Sequence, residues 1–153
     1  MTAMKLAQAL QERADLNARI GQLRQRISHN ALVQEGEKPA EDPQKLLVEL
    51  NACFDRLQAL TARVNLTNAQ TRVGKLTLTE LIAEKDTLTS RIRAYRDLAA
   101  AASQTSSRAR GAEIRILSAV SVTGVQAEAD RLSQRLREVN SLIQEHNWLT
   151  ELL

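Results

Sequence analysis

The chain has 153 residues, 21 of them basic and 18 acidic, for a formal charge of +3; it is 43% hydrophobic but only 2% aromatic. That length suits one domain, and the interspersed charge argues against a nucleic-acid face. No window reaches the roughly 20 apolar residues of a membrane span. With only 5 Gly and 2 Pro, few positions break a helix, and a core of Leu, Ile, Val and Ala suits a thin helical bundle.

A first helix is expected over 3–33. Its apolar stripe runs Leu6, Ala9, Arg13, Leu16, Ile20, Leu23, Ile27, Asn30, with steps alternating between three and four. Such steps keep one narrow face of an α-helix turned to a partner helix. Arg13 and Asn30 interrupt the seam, as polar residues that fix register do. The polar stretch Gln34–Glu41, with Gly36 and Pro39, is a loop.

Asp42-Pro43 restarts the chain as a second helix over 43–69: Asp caps free amides and Pro is preorganised for the first helical position. Its seam is read as Leu47, Leu50, Phe54, Leu57, Thr61, Val64, Asn68. A short connection between two long helices makes them antiparallel neighbours. Cys53, the single cysteine, excludes an intrachain disulfide and is expected as a packed, inert thiol.

Val73-Gly74-Lys75 breaks the pattern, and Thr77 with Glu80 has the spacing of a capping box for a third helix over 78–102. Its stripe is Leu81, Lys85, Leu88, Ile92, Tyr95, Ala99, Ala102. A polar loop follows from Ser103 to Gly111. Glu113–Ile116 and Val120–Val122 are read as short strands that pair with the Arg72–Leu76 connector. Thr123, with Gln126, is expected to cap a fourth helix over 124–150, striped by Val125, Ala129, Leu132, Leu136, Val139, Ile143 and His146. The terminal apolar cluster Trp148, Leu149, Leu152, Leu153 is expected to dock on the fold or on a neighbouring subunit. The fold class is therefore all-α: one domain over 1–153 of long antiparallel helices in bundle or coiled-coil hairpins, with a two-stranded β-ribbon at one end.

Chemistry-bearing motifs are sparse. Two histidines, His29 and His146, lack a second ligand at helical spacing, so no metal and no cofactor is expected. No phosphate-cradling Gly-rich loop, nucleophile elbow or Cys-x-x-Cys pair is present, which argues against an enzyme. Asn65, Thr67 and Asn68, with Thr71 and Asn147, form a polar cluster that either holds a small ligand or terminates the bundle and fixes its register. Arg108, Arg110 and Arg115 form the best basic patch, with Arg131, Arg135 and Arg137 beyond it. It lacks the interleaved aromatics of nucleic-acid binders and reads as a solvated face.

From about Arg63 to Leu152 the chain resembles small bacterial proteins of the septicolysin-like family of unknown function. The matching pieces are Asn65-Leu66-Thr67-Asn68, Leu76-Thr77-Leu78-Thr79-Glu80-Leu81 with Asp86-x-Leu88, Glu113-Ile114, Ser121-Val122, Val125-Gln126 and Asn147-Trp148. Val73-Gly74-Lys75 departs from the family pattern, in which an acid and Gly precede the Leu-Thr-Glu run. The resemblance implies a mostly helical bacterial protein, and the family name suggests pore formation. Against pores stand the mixed-charge helix faces, the lack of any long amphipathic β-hairpin, and an N-terminus without a signal core. The expected function is a cytoplasmic, non-catalytic scaffold or interaction module that forms a two-fold symmetric homo-oligomer. A membrane-active protein and a ligand-binding bundle are the alternatives.

Overall fold

The computed structural model describes residues 2–105 and 114–153. Among the described residues four helices carry the fold: α1 (Leu6–His29), α2 (Pro43–Gln70), α3 (Leu78–Ala102) and α4 (Val122–Leu149). Two short strands, β1 (Arg72–Val73) and β2 (Leu76–Thr77), pair with each other. The chain divides into two compact units, one of residues 1–72 with 146–153 and one of residues 73–145.

In the first unit α1 and α2 form an antiparallel hairpin whose register can be read from its ion pairs. Glu12 meets Arg56, Arg19 meets Glu49, and Arg26 meets Glu41. The α1 members lie seven residues apart and their partners descend in step, so each pair flanks one heptad of the same seam. Ile20 and Leu23 pack there on Leu46 and Leu50, with Ile27, Cys53 and Leu57 around them. Cys53 is therefore half-buried against apolar neighbours, as a packed thiol would be.

The helix α1 is shorter than the 3–33 expected. At its start, Gln8 Oε1 accepts the Lys5 amide at 2.8 Å, and the residues before it are extended. At its end, Asn30 does more than interrupt a seam: its Nδ2 donates to the Arg26 carbonyl at 2.8 Å, and its Oδ1 accepts the Glu41 amide at 3.0 Å. One side chain thus stops α1 and ties the far end of the hairpin loop to it. Leu32 beyond it is 90% exposed. Asp42 begins α2, with its Oδ1 taking the Gln44 amide at 2.9 Å and Pro43 in the first turn.

The seam of α2 differs from the expected phase. The buried residues are Leu46, Leu50, Leu60, Val64 and Thr67, with Cys53 and Leu57 half-buried. Leu47 and Phe54 instead face solvent. Both phases alternate three and four and share Leu50, Leu57 and Val64. The phase actually used centres Leu46 and Leu60, which share one side of the helix with Leu50, Leu57 and Val64.

The first unit closes with the end of the chain. Lys5 bridges Glu151 in antiparallel fashion, Leu6 donates its amide to the Thr150 carbonyl at 2.9 Å, and Leu152 donates to Met4 at 2.8 Å. Leu152 is buried, whereas Trp148, Leu149 and Leu153 are exposed. Of the terminal cluster, only Leu152 thus buries its side chain.

In the second unit, the turn Gly74-Lys75 joins the two strands. Gly74 has φ +64°, and no other residue of the turn has positive φ, the pattern of a tight hairpin with Gly at its first central position. The strands expected farther on are absent: residues 114–117 form no strand and Val122 already begins α4, while Glu113 lies outside the described residues. Neighbouring segments two residues apart meet at no loop-closure cost to speak of, which favours the local hairpin over a distant partner. Thr77 then caps α3, its Oγ1 accepting the Glu80 amide at 3.2 Å. Leu81, Leu88, Ile92 and Ala99 are buried along α3, and Ala129, Leu132, Val139 and Ile143 along α4. The two are tied by Glu84 to Arg135 at 2.6 and 3.0 Å and by Arg96 to Ser133 at 3.1 Å. The cap of α4 is Ser121 rather than Thr123: Ser121 Oγ accepts the Gly124 amide at 3.1 Å, and its carbonyl accepts the Val125 amide. The helix thus begins two residues before the expected start.

Candidate functional site

The polar cluster proposed from sequence is divided by helical geometry. Residues two apart on a helix point about 200° apart, so Asn65 is exposed while Thr67 is fully buried. The Thr67 hydroxyl is used internally: it donates to the Arg63 carbonyl at 2.8 Å and accepts the Leu153 amide at 3.0 Å. Thr71 donates to the Thr67 carbonyl at 2.7 Å, and Arg63 Nε donates to the Leu153 carbonyl at 2.6 Å. This group therefore moors the end of the chain. Asn68 and Asn147 are half-buried.

Of the basic patch, Arg115 is exposed, while Arg108 and Arg110 lie outside the described residues. Arg131 is bound to Glu128 at 2.9 Å, and Arg135 to Glu84. The hydrogen bond and charge of Glu128 raise the Arg131 pKa, and Glu84 does the same for Arg135. The hydrogen bond from Arg56 holds Glu12 below the ordinary carboxylate value, with burial opposing it. These ion pairs are partly exposed; Glu12–Arg56 and Glu84–Arg135 tie neighbouring helices, whereas Glu128–Arg131 lies along one helix.

A groove of about 500 Å³ lies in the second unit, lined by Ile92 and Leu136 together with Arg93, Arg96, Asp97 and Arg137. A smaller one of about 350 Å³ runs beside Gly21, Arg24 and His29. Among the described residues no group of three or more His, Cys, Asp or Glu could hold a metal ion, and no helix is long and apolar enough to cross a membrane.

The feature that the sequence reading missed is the outer side of α2. Leu47 and Phe54 stand on it, with Val48 and Leu66 nearby, all exposed. The positions Leu47, Asn51, Phe54, Gln58, Thr61, Asn65 and Asn68 step by four and three, so they share one face of the helix beside the buried one. The signal was present only in part: Leu47 and Phe54 lie seven residues apart and share a face, but Asn51, Gln58, Thr61, Asn65 and Asn68 beside them are polar.

A family model described as a family of unknown function (DUF6847) matches residues 13–152. The crystal structure of a functionally unknown conserved protein from Corynebacterium diphtheriae superposes with a TM-score of 0.92 at 33% identity, covering 99% of this chain and 100% of that one. No curated protein matches. The septicolysin-like resemblance finds no support in these matches.

Proposed function

The chain belongs to that family of unknown function, and on that footing we propose that it is a non-catalytic cytoplasmic protein that self-associates and serves as a scaffold or interaction module. The observation that carries this reading is the placement of the two largest apolar side chains. The only Phe and the only Trp of the chain, Phe54 and Trp148, are 44% and 68% exposed. Aromatic side chains bring the most apolar area per residue and anchor interfaces more often than any other apolar type. A fold that leaves both outside its own core has an association surface ready. Light scattering coupled to gel filtration tests the reading. The expected mass at micromolar concentration is at least twice the 17.0 kDa of one chain. A monomer mass throughout a dilution series overturns it.

A further inference from the structure

We propose that the groove lined by α3 and α4 binds a phosphate monoester, its phosphoryl group held by Arg93, Arg96 and Arg137 and its organic stem lying along Ile92 and Leu136. All the lining residues belong to the second unit, so the site goes beyond self-association and needs no second copy.

The two sides of α4 treat their arginines differently. On one side each arginine has a carboxylate: Glu128 holds Arg131, and Glu84 and Glu138 hold Arg135. Arg137 follows Arg135 by two positions and so points largely away from it. Arg137 and Arg93, both exposed, make no hydrogen bond or ion pair with another described residue. Asp97 stands one turn after Arg93, in the less favourable base-before-acid order, and the two are not bonded. Arg96 is fixed in place. Its Nη2 donates to Ser133 Oγ at 3.1 Å, from one helix to the other, and Ser133 donates in turn to the Ala129 carbonyl at 2.8 Å. A neutral hydroxyl thus orients this guanidinium without cancelling its charge and leaves its remaining N–H donors for a ligand.

The charge of the lining selects the ligand. Three arginines against one aspartate leave a surplus of two positive charges. A phosphate monoester carries about −1.5 to −2 at neutral pH and presents three acceptor oxygens, so it matches that surplus. Guanidinium forks meet such oxygens in pairs. A single carboxylate would neutralise half of the surplus. Asp130, on the same side of α4, lines an adjoining groove with Arg96 and Ala99, which makes that end poorer for an anion and favours the Arg93–Arg137 end. Ile92 is buried and Leu136 half-buried, so apolar contact lies beside the charges. The volume of about 500 Å³ is that of a small-ligand site.

Titration of the full chain with phenyl phosphate, followed by nuclear magnetic resonance, tests the site. Saturable shifts are expected at the amides of residues 89–97 and 133–137. Affinity should fall by at least about tenfold for benzoate, which carries one charge on the same ring, and for R93Q/R137Q with phenyl phosphate. Arg24→Gln on α1 should bind as the wild type does. A phosphoserine tripeptide flanked by leucines separates the sources of the phosphoryl group: tighter binding than phenyl phosphate assigns a phosphorylated peptide, weaker binding a small ester, and both support the site. Should the double variant lose its circular dichroism, the wild-type shift map and the benzoate comparison decide. Shifts that do not saturate, that fall on α1 and α2, or that benzoate produces equally well overturn the proposal.

Discussion

Thr67 is fully enclosed yet polar, and its hydroxyl satisfies the Leu153 amide while donating to Arg63. Thr67→Val keeps the shape and removes the acceptor, leaving a backbone amide without its partner. The expected loss is about 1–2 kcal/mol, read as a lower urea midpoint. Thr77 acts at a helix end instead. Its Oγ1 takes the Glu80 amide, so Thr77→Ala should cost about 1 kcal/mol, and Glu80→Ala less. An unchanged midpoint for Thr77→Ala would mean that α3 does not depend on this cap. These two threonines differ in how legible they were. The role of Thr77 followed from a three-residue spacing to Glu80, which is local. That of Thr67 depends on a residue 86 positions away, and no local pattern carries that information.

At the scale of elements, three of the four stripes read from the sequence are the faces that the helices turn inward. The fourth, on α2, differs by one phase: Leu46 and Cys53 take the inward places expected of Leu47 and Phe54. Size in the sequence is a poor guide when two phases alternate in the same way, and only the partner helix decides between them. The ribbon was legible as a break at Gly74 but was assigned a distant partner. The turn itself predicts a further effect. Gly74 sits at φ +64°, with open space where a Cβ would be. Gly74→Val should therefore destabilise through backbone strain alone, by about 1–2 kcal/mol, while Gly74→Asn should be milder. Equal midpoints for the two variants would contradict this account. The ladder between α1 and α2 adds a pH effect. Glu12 titrates below its ordinary value of 4.5, chiefly because Arg56 hydrogen-bonds its carboxylate. A depressed folded pKa gives stability that is complete above the unfolded value and is lost as the pH falls through the folded one. The urea midpoint should hold from neutral pH down to the ordinary glutamate range and fall below it. In Glu12→Gln part of that acid slope should vanish, and an unaltered slope would assign it to other carboxylates.

At the scale of the whole molecule, no helix among the described residues is long and apolar enough to cross a membrane. The exposed faces of α3 and α4 mix acids with bases, whereas interfacial helices are mostly Lys/Arg-rich opposite their apolar side. Liposomes of neutral or anionic lipid mixed with the protein at neutral pH should therefore retain an encapsulated dye. Rapid, dose-dependent release would favour the membrane-active alternative over the scaffold reading. The sites were the least legible part of the sequence. Asn65, Thr67 and Asn68 were grouped by proximity along the chain, whereas on a helix proximity along the chain scatters side chains to opposite sides.

The main-chain pairing of Met4–Leu6 with Thr150–Leu152 bears on how the polypeptide is made. The first unit takes residues from both extremes of the sequence and encloses the second unit as an insertion. During synthesis the α1–α2 hairpin can form early, because its contacts are local and fast to find. Its final segment cannot arrive until the ribosome has polymerised everything in between. Nascent chains stalled short of residue 146 should accordingly hold a hairpin that is cleaved more readily by protease than in the released protein. The second unit, contiguous in sequence, should reach its protease resistance first.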